Sequence, residues 1–151
     1  MAWDLIFGIT NSFALLMWLI LAFAPRSMMI LTGLFYGGVG LLAFTYAVII
    51  IPLMTGLING GGAAADFSTL AGVQQLLSSP GGATVGWIHY LAFDLFVGIW
   101  VARNADKYGF ARWIQIPILL FVLMLGPLGL ILYLLLRFTR HNKVADAVMP
   151  E

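Results

Sequence analysis

The sequence contains no cysteine and few charged residues. The absence of cysteine excludes disulfides, thiolate catalysis and cysteine-ligated metal centres. Charged residues make up 9% of the 151 residues and hydrophobic residues 62%, whereas an ordinary soluble domain is about 25% charged and about 45–50% apolar. A chain this short cannot bury so much apolar surface in one water-facing globule. The composition therefore excludes a soluble enzyme and a disordered segment, and it predicts an all-α integral membrane protein.

The chain also lacks a charge excess and the common catalytic motifs. Seven Lys+Arg against six Asp+Glu leave a net charge of +1, so no basic face is available for a nucleic acid. Only two histidines are present, which argues against paired axial haem ligation within one chain. The sequence has no glycine-rich phosphate loop, no Ser-His-Asp order and no multi-histidine spacing. We expect no metal, no cofactor and no nucleic-acid partner.

Four long apolar runs are present, and a membrane-spanning helix needs about 20 apolar residues. They predict a four-helix transmembrane bundle in one domain over residues 1–151. Proline ends or bends these runs at Pro25, Pro52, Pro117 and Pro127. Neither a cleaved signal peptide nor a transit peptide is expected at the N-terminus. The predicted helices cover about 3–24, 30–58, 85–103 and 113–138, with a loop at 59–84 and a tail at 139–151.

The loop at 59–84 is rich in Gly, Ala and Ser and contains no Lys or Arg. Residues 66–77 have apolar side chains near helical spacing, with Asp66 as a candidate N-cap. We expect a short interfacial helix over one mouth of the bundle, with a mobile loop as the alternative. Four straight spans would put four cations on one side of the membrane and three on the other, too even a division for the positive-inside rule to decide.

The most informative residue is Asp94, nine residues from each predicted end of the third helix and therefore at the membrane midplane. A carboxylate costs about 2.5–3.5 kcal/mol at this depth on insertion scales. We expect Asp94 to face the bundle interior, either paired or protonated. It acts either as a functional acid or as a polar clamp between helices.

The helical period groups the polar and aromatic residues of the third helix. Trp87, Tyr90, Asp94 and Gly98 form one stripe, in which Gly98 allows close approach of a helix or a flat ligand. His89 lies about 140° away from Asp94, so the two cannot hydrogen-bond directly within a straight helix. His89 is either a site residue or an interhelical hydrogen-bonding group. Its own flank carries Phe93, Phe96 and Trp100.

Depth counting along straight helices identifies partners for these groups. Asn11 and Asp94 lie at about 12 and 13.5 Å from the same membrane side, so Asn11 is expected to meet the carboxyl. His89 and Tyr133 are expected to share a depth of about 6–7.5 Å.

Pro127 forms a second expected feature, because it cannot donate to the Leu123 carbonyl. The Gly126-Pro127 break therefore offers a free acceptor that suits a protonated acid.

Residues 86–100, GWIHYLAFDLFVGIW, resemble the central signature of the abscisic-acid-deficient-four-like membrane family. Residues 125–133, LGPLGLILY, resemble its last helix, and the length and helix number also agree. One departure is Asn104, where the family pattern has an acidic residue after the arginine, although Asp106 lies nearby. The missing transit peptide suggests a bacterial-type member in a cytoplasmic membrane.

The resemblance implies a carotenoid connection, because plant members are needed to form neoxanthin from an epoxy-xanthophyll. Opening an epoxide to an allene needs an acid and a base but no redox cofactor. The residues assigned to these roles are Asp94 as acid and His89 as base. The expected substrate-binding residues are Trp87, Tyr90, Phe93, Gly98, Trp100, Asn11 and Tyr133, with Gly126 and Pro127 structural.

The expected ligand is a carotenoid, xanthophyll or other polyisoprenoid lipid. Two alternatives are a noncatalytic carotenoid- or lipid-binding subunit and a proton-coupled carrier component with Asp94 as the relay. A homo-oligomer or a larger membrane complex is left open.

Overall fold

A computed structural model describes residues 2–60 and 67–148, with side chains up to Arg140. The described residues form helices and contain no strand. Three helices are long and apolar enough to span a membrane: Trp3–Phe23, Met28–Met54 and Pro80–Lys107. In chain order the helices are α1 (Trp3–Phe23), α2 (Met28–Met54), α3 (Leu70–Ser78), α4 (Pro80–Lys107), α5 (Arg112–Leu125) and α6 (Pro127–Val148).

The central helix is α4, which packs against α1, α2, α3 and α5. It begins at Ser79, whose hydroxyl accepts from the Gly82 N–H at 3.0 Å, with Pro80 in the first turn. Both features favour a helix start. Helix α2 contains a π-helical segment at Leu34–Gly40. Gly38 in that segment faces Leu95 and Met17, so the missing side chain lets α2 approach α4 and α1.

The two ends of the bundle are called face A and face B. Face A contains the α1–α2 connection, where Arg26 Nη1 donates to the Ala102 carbonyl of α4 at 2.8 Å. Face B contains the start of α4, where the Gly81 N–H donates to the Gly60 carbonyl at 2.8 Å. Trp3 contacts Gly81, which puts the start of α1 on face B as well.

The prediction of a single fourth span over 113–138 is wrong, because the chain reverses at Gly126. There the backbone has φ +35°, a left-handed value that favours glycine. Helix α5 has 14 residues, about 21 Å, and cannot cross a hydrocarbon layer about 30 Å thick. The Phe110 and Tyr133 rings lie 6.5 Å apart although 23 residues separate them. Helices α5 and α6 therefore form a hairpin that enters from face A and returns to it.

The remaining boundaries differ in smaller ways. The predicted helix at 30–58 is observed at 28–54, and the one at 85–103 extends over 80–107. The tail expected from 139 is helical to Val148. A helix is present at Leu70–Ser78 in the long loop, with the Thr69 hydroxyl accepting from the Gly72 N–H at 3.1 Å. Its interfacial position stays a prediction, and Asp66 lies outside the described residues.

Candidate functional site

Asp94 occupies the centre of the molecule, fourteen residues after Pro80 and thirteen before Lys107. The residue is 8% exposed and faces inward, as predicted, where it contacts the tip of the hairpin at Gly126. A Cβ added to Gly126 would lie 2.7 Å from Asp94 Oδ1, so only glycine fits at this contact. Asp94 Oδ2 is buried and has no hydrogen-bond partner among the described residues. The hairpin tip therefore covers the Asp94 carboxyl but leaves its Oδ2 without a hydrogen bond.

Tyr90 lies one turn before Asp94 and connects it to the hairpin. Its hydroxyl donates to the Leu123 carbonyl at 3.0 Å and lies beside the Asp94 carboxyl. Leu123 is the residue whose carbonyl Pro127 leaves without a helical donor. The freed acceptor expected from sequence is therefore present, but Tyr90 bonds to it. No pattern in the sequence distinguishes these two partners.

An aromatic row leads from Tyr90 to the outer surface of the bundle. Trp87 stacks on Tyr90 with ring centroids 5.1 Å apart, and Phe7 lies 5.8 Å from Trp87. Trp87 Nε1 donates to Asn11 Oδ1 at 3.2 Å. The expectation that Asn11 meets the Asp94 carboxyl is therefore wrong: Asn11 bonds to Trp87, seven residues before Asp94, because α4 begins at Pro80 and not near Val85. Because Trp87 is 39% exposed, this row opens towards the lipid-facing surface.

His89 lies on a different flank of α4. Its ring contacts Phe93 at 4.6 Å and Tyr46 of α2 at 5.5 Å. It lines a cavity of about 210 Å³ under α3, with Tyr46, Ile50, Leu76 and Val85 among the walls. Asp94 faces α5 whereas His89 faces α2 and α3, so the two predicted catalytic residues contact different elements.

Three of the predicted substrate-binding residues pack against groups outside the Asp94 site: Gly98, Trp100 and Tyr133. Gly98 packs against the Trp18 ring of α1, so its missing side chain serves a helix contact. Trp100 meets Tyr133 edge-to-face at 5.8 Å, on the face-A half of α4. The Tyr133 hydroxyl donates to Asn104 Oδ1 at 2.5 Å. The expected match in depth between Tyr133 and His89 is wrong because the chain reverses before Tyr133.

A polar network at face A, in which Gln115 is buried and Asp106 is partly exposed, was missed from the sequence. Arg26 Nη1 donates to Asp106 Oδ2 at 3.0 Å and to Gln115 Oε1. Gln115 Nε2 donates to Asp106 Oδ1 at 2.8 Å and to the Phe110 carbonyl at 2.7 Å. Burial lowers the pKa of the Arg26 guanidinium, while Asp106 opposes that shift. One signal was available, because Gln115 is the single polar residue in the apolar run 113–125.

Arg112 and Arg137 extend this network. Arg112 Nη1 donates to the Ala24 carbonyl at 2.7 Å, which ties the start of α5 to the end of α1. Arg137 Nη2 donates to the Tyr108 hydroxyl at 2.9 Å, and its guanidinium lies over the same ring. These bonds hold both arms of the hairpin at face A.

The fold and these contacts define a helical membrane protein with three long apolar helices and a hairpin of two further helices, α5 and α6. Residues 5–133 match the model of the ABA DEFICIENT 4-like family. The chain belongs to this family, as the resemblance predicted. No curated protein and no solved structure matches the chain.

Proposed function

We propose that this protein is an intramembrane acid–base isomerase, or a related non-redox enzyme, that acts on a carotenoid, xanthophyll or other polyisoprenoid. The observation that carries the proposal is the buried Asp94 carboxyl with an unpartnered oxygen at the end of an aromatic row. Intramembrane carboxyls are costly and commonly functional. Membership of the ABA DEFICIENT 4-like family supports the carotenoid part of the proposal.

The proposed approach to Asp94 follows from the position of the hairpin tip. Gly126 lies beside Asp94, the middle of α4, so we expect lipid beside the face-B half of α4 in this sector. An apolar substrate in this space would contact Phe7, Trp87 and Tyr90 before reaching the hairpin tip. Stacked aromatic faces also stabilise a developing positive charge.

The proposed reaction is redox-neutral. Protonated Asp94 transfers its proton to an epoxide oxygen or polyene carbon, directly or through the Tyr90 hydroxyl. The resulting carboxylate removes a proton from a neighbouring substrate carbon, and the electrons of that C–H bond form the new double bond. One carboxyl then acts as acid and base in turn. His89 stays a predicted base only for a part of the substrate placed in the cavity under α3.

Expression in a carotenoid-producing bacterial membrane tests this proposal. The matched variants are Asp94→Asn and Asp4→Asn, since Asp4 is an exposed carboxyl at the start of α1. We expect Asp94→Asn to reduce pigment conversion at least about 100-fold, the lower range for loss of a general acid. Asp4→Asn should convert pigment as the unmodified protein does. Identical chromatograms for Asp94→Asn and the unmodified protein would contradict catalysis for the pigments tested.

A noncatalytic carotenoid- or lipid-binding subunit is the second candidate. It is favoured by the near-complete burial of Asp94 and by the cavity around His89, which offers binding space away from the carboxyl. This function predicts that pigment copurifies with the protein and is released without chemical change. We place either function in the bacterial cytoplasmic membrane, in a homo-oligomer or larger complex.

A further inference from the structure

A groove at face A, separate from the Asp94 site, is lined by two cationic side chains. Arg103 and Lys107 lie one turn apart on the outer side of α4 and line a cavity of about 430 Å³. Neither side chain has an ion pair or hydrogen bond within the described residues. By contrast, Arg26, Arg112 and Arg137 all donate to protein acceptors. The groove is therefore positively charged and open to an external anion.

The rest of the cavity wall is apolar except for Asn104, whose Oδ1 accepts from the Tyr133 hydroxyl. Phe35 of α2 and Phe96, Ile99 and Trp100 of α4 line it below the two cations. The nearest carboxyl in the sequence, Asp106, accepts from Arg26 and Gln115 and does not neutralise the groove. An occupant must combine an anionic head with an apolar body.

A second groove lies on the other side of the same two rings. Phe96, Val97 and Trp100 of α4 line it together with Leu130 and Leu134 of the hairpin, and it measures about 390 Å³. Phe96 and Trp100 thus line both grooves and form a ridge between them. Arg103 and Lys107 lie beyond this ridge, towards the face-A end of α4, where we expect lipid headgroups.

We propose that this region binds an anionic phospholipid, with its phosphate between Arg103 and Lys107 and one acyl chain on each side of the Phe96–Trp100 ridge. Charge complementarity selects the anionic head, because juxtamembrane cations attract anionic lipids. Paired grooves around one ridge fit a molecule with two chains. This site is independent of the isomerase proposal, since it shares no residue with the Asp94 contacts.

Quenching of Trp100 fluorescence by brominated lipids tests the proposal on the full chain in vesicles. The probes are brominated phosphatidylglycerol and brominated phosphatidylcholine at equal mole fraction, and a Trp100→Phe variant isolates the signal of Trp100. We expect phosphatidylglycerol to quench Trp100 preferentially. Loss of one cation should weaken this preference about fivefold, corresponding to about 1 kcal/mol per cation near a membrane surface.

The variants are Arg103→Gln, Lys107→Gln and, as the matched control, Arg140→Gln, which removes an exposed cation that lies over Phe110. Only the first two should lose the preference, and exchanging Arg103→Lys with Lys107→Arg should retain it. Equal quenching by both lipids, or an equal loss in Arg140→Gln, would overturn the proposal. Inorganic phosphate at constant ionic strength should not compete; competition would assign the cations to a free anion and overturn the lipid site.

Discussion

Helix α4 carries polar groups in two regions that differ in exposure and in their charged partners. At face A, the Asp106 side chain is 42% exposed and pairs with Arg26, and both oxygens of Asp106 and both polar atoms of Gln115 are bonded within the protein. Arg26 Nε and Nη2 are buried there without a hydrogen-bond partner among the described residues. At the midplane, Asp94 Oδ2 is buried without a partner. Both regions therefore contain an unmet buried polar atom, and the difference lies in charge pairing: Arg26 pairs with Asp106, whereas Asp94 has no ion pair among the described residues. The paired face-A network holds the hairpin in place, and the unpaired midplane carboxyl is the stronger candidate for function.

The largest expected effect concerns the hairpin that both regions share. The chain has no cysteine, so single cysteines report sidedness in sealed vesicles. We expect Ala111→Cys and Thr139→Cys to react with an impermeant thiol reagent from the same side, and Leu57→Cys from the opposite side. Reaction of Thr139→Cys from the side of Leu57→Cys would restore a straight fourth span.

Breaking the face-A network should destabilise the protein most among the point substitutions. Gln115 is 1% exposed and forms three hydrogen bonds. We expect Gln115→Ala to lower the free energy of unfolding by about 3 kcal/mol, because Arg26 loses a hydrogen-bond acceptor and Asp106 loses a donor. Denaturant titration in detergent measures this. A change below about 1 kcal/mol would mean that the network does not hold the hairpin.

The next largest effect is expected at the contact between Gly126 of the hairpin tip and Asp94. Gly126→Ala adds a Cβ against Asp94 Oδ1 at a positive φ, and we expect the free energy of unfolding to fall by about 2 kcal/mol from strain and overpacking. Gly109→Ala is the matched control, because Gly109 has φ +68° but no atom within 4 Å of the added Cβ. The control should lose about 1 kcal/mol. Equal losses in both variants would show that the Asp94 contact contributes nothing.

The smallest expected effect is that of Tyr90→Phe, which removes the hydrogen bond to the Leu123 carbonyl. We expect a loss of about 1 kcal/mol in the free energy of unfolding, the usual contribution of one hydrogen bond. Tyr46→Phe is a suitable control, since Tyr46 packs against His89 instead. A loss above about 3 kcal/mol would place Tyr90 in the stabilising network and weaken the contrast between the regions.

Hydropathy identified the three spanning helices because each is one continuous apolar run, and the helical period correctly turned Asp94 inward. Neither signal detects a reversal inside an apolar run. Residues 113–138 are as apolar as a span, and the Gly126-Pro127 pair is compatible with both a kink and a turn. Depth counting through that point consequently placed Tyr133 beside His89. The partners of Gln115 could not be predicted either, because the predicted topology put Arg26, Asp106 and Gln115 on one side of the membrane without indicating which side chains meet.

The hairpin also changes where the cations lie relative to the membrane. Four cations lie at or near the face-A ends of α1, α4 and α5: Arg26, Arg103, Lys107 and Arg112. Two more, Arg137 and Arg140 of α6, contact Tyr108 and Phe110 at the same face. Lys143 follows in the same helix. Among the described segments, those at face B contain no Lys or Arg. During biosynthesis, the described segments at face B bring no lysine or arginine through the hydrocarbon layer, and the positive-inside rule predicts that face A stays on the side from which the chain is inserted.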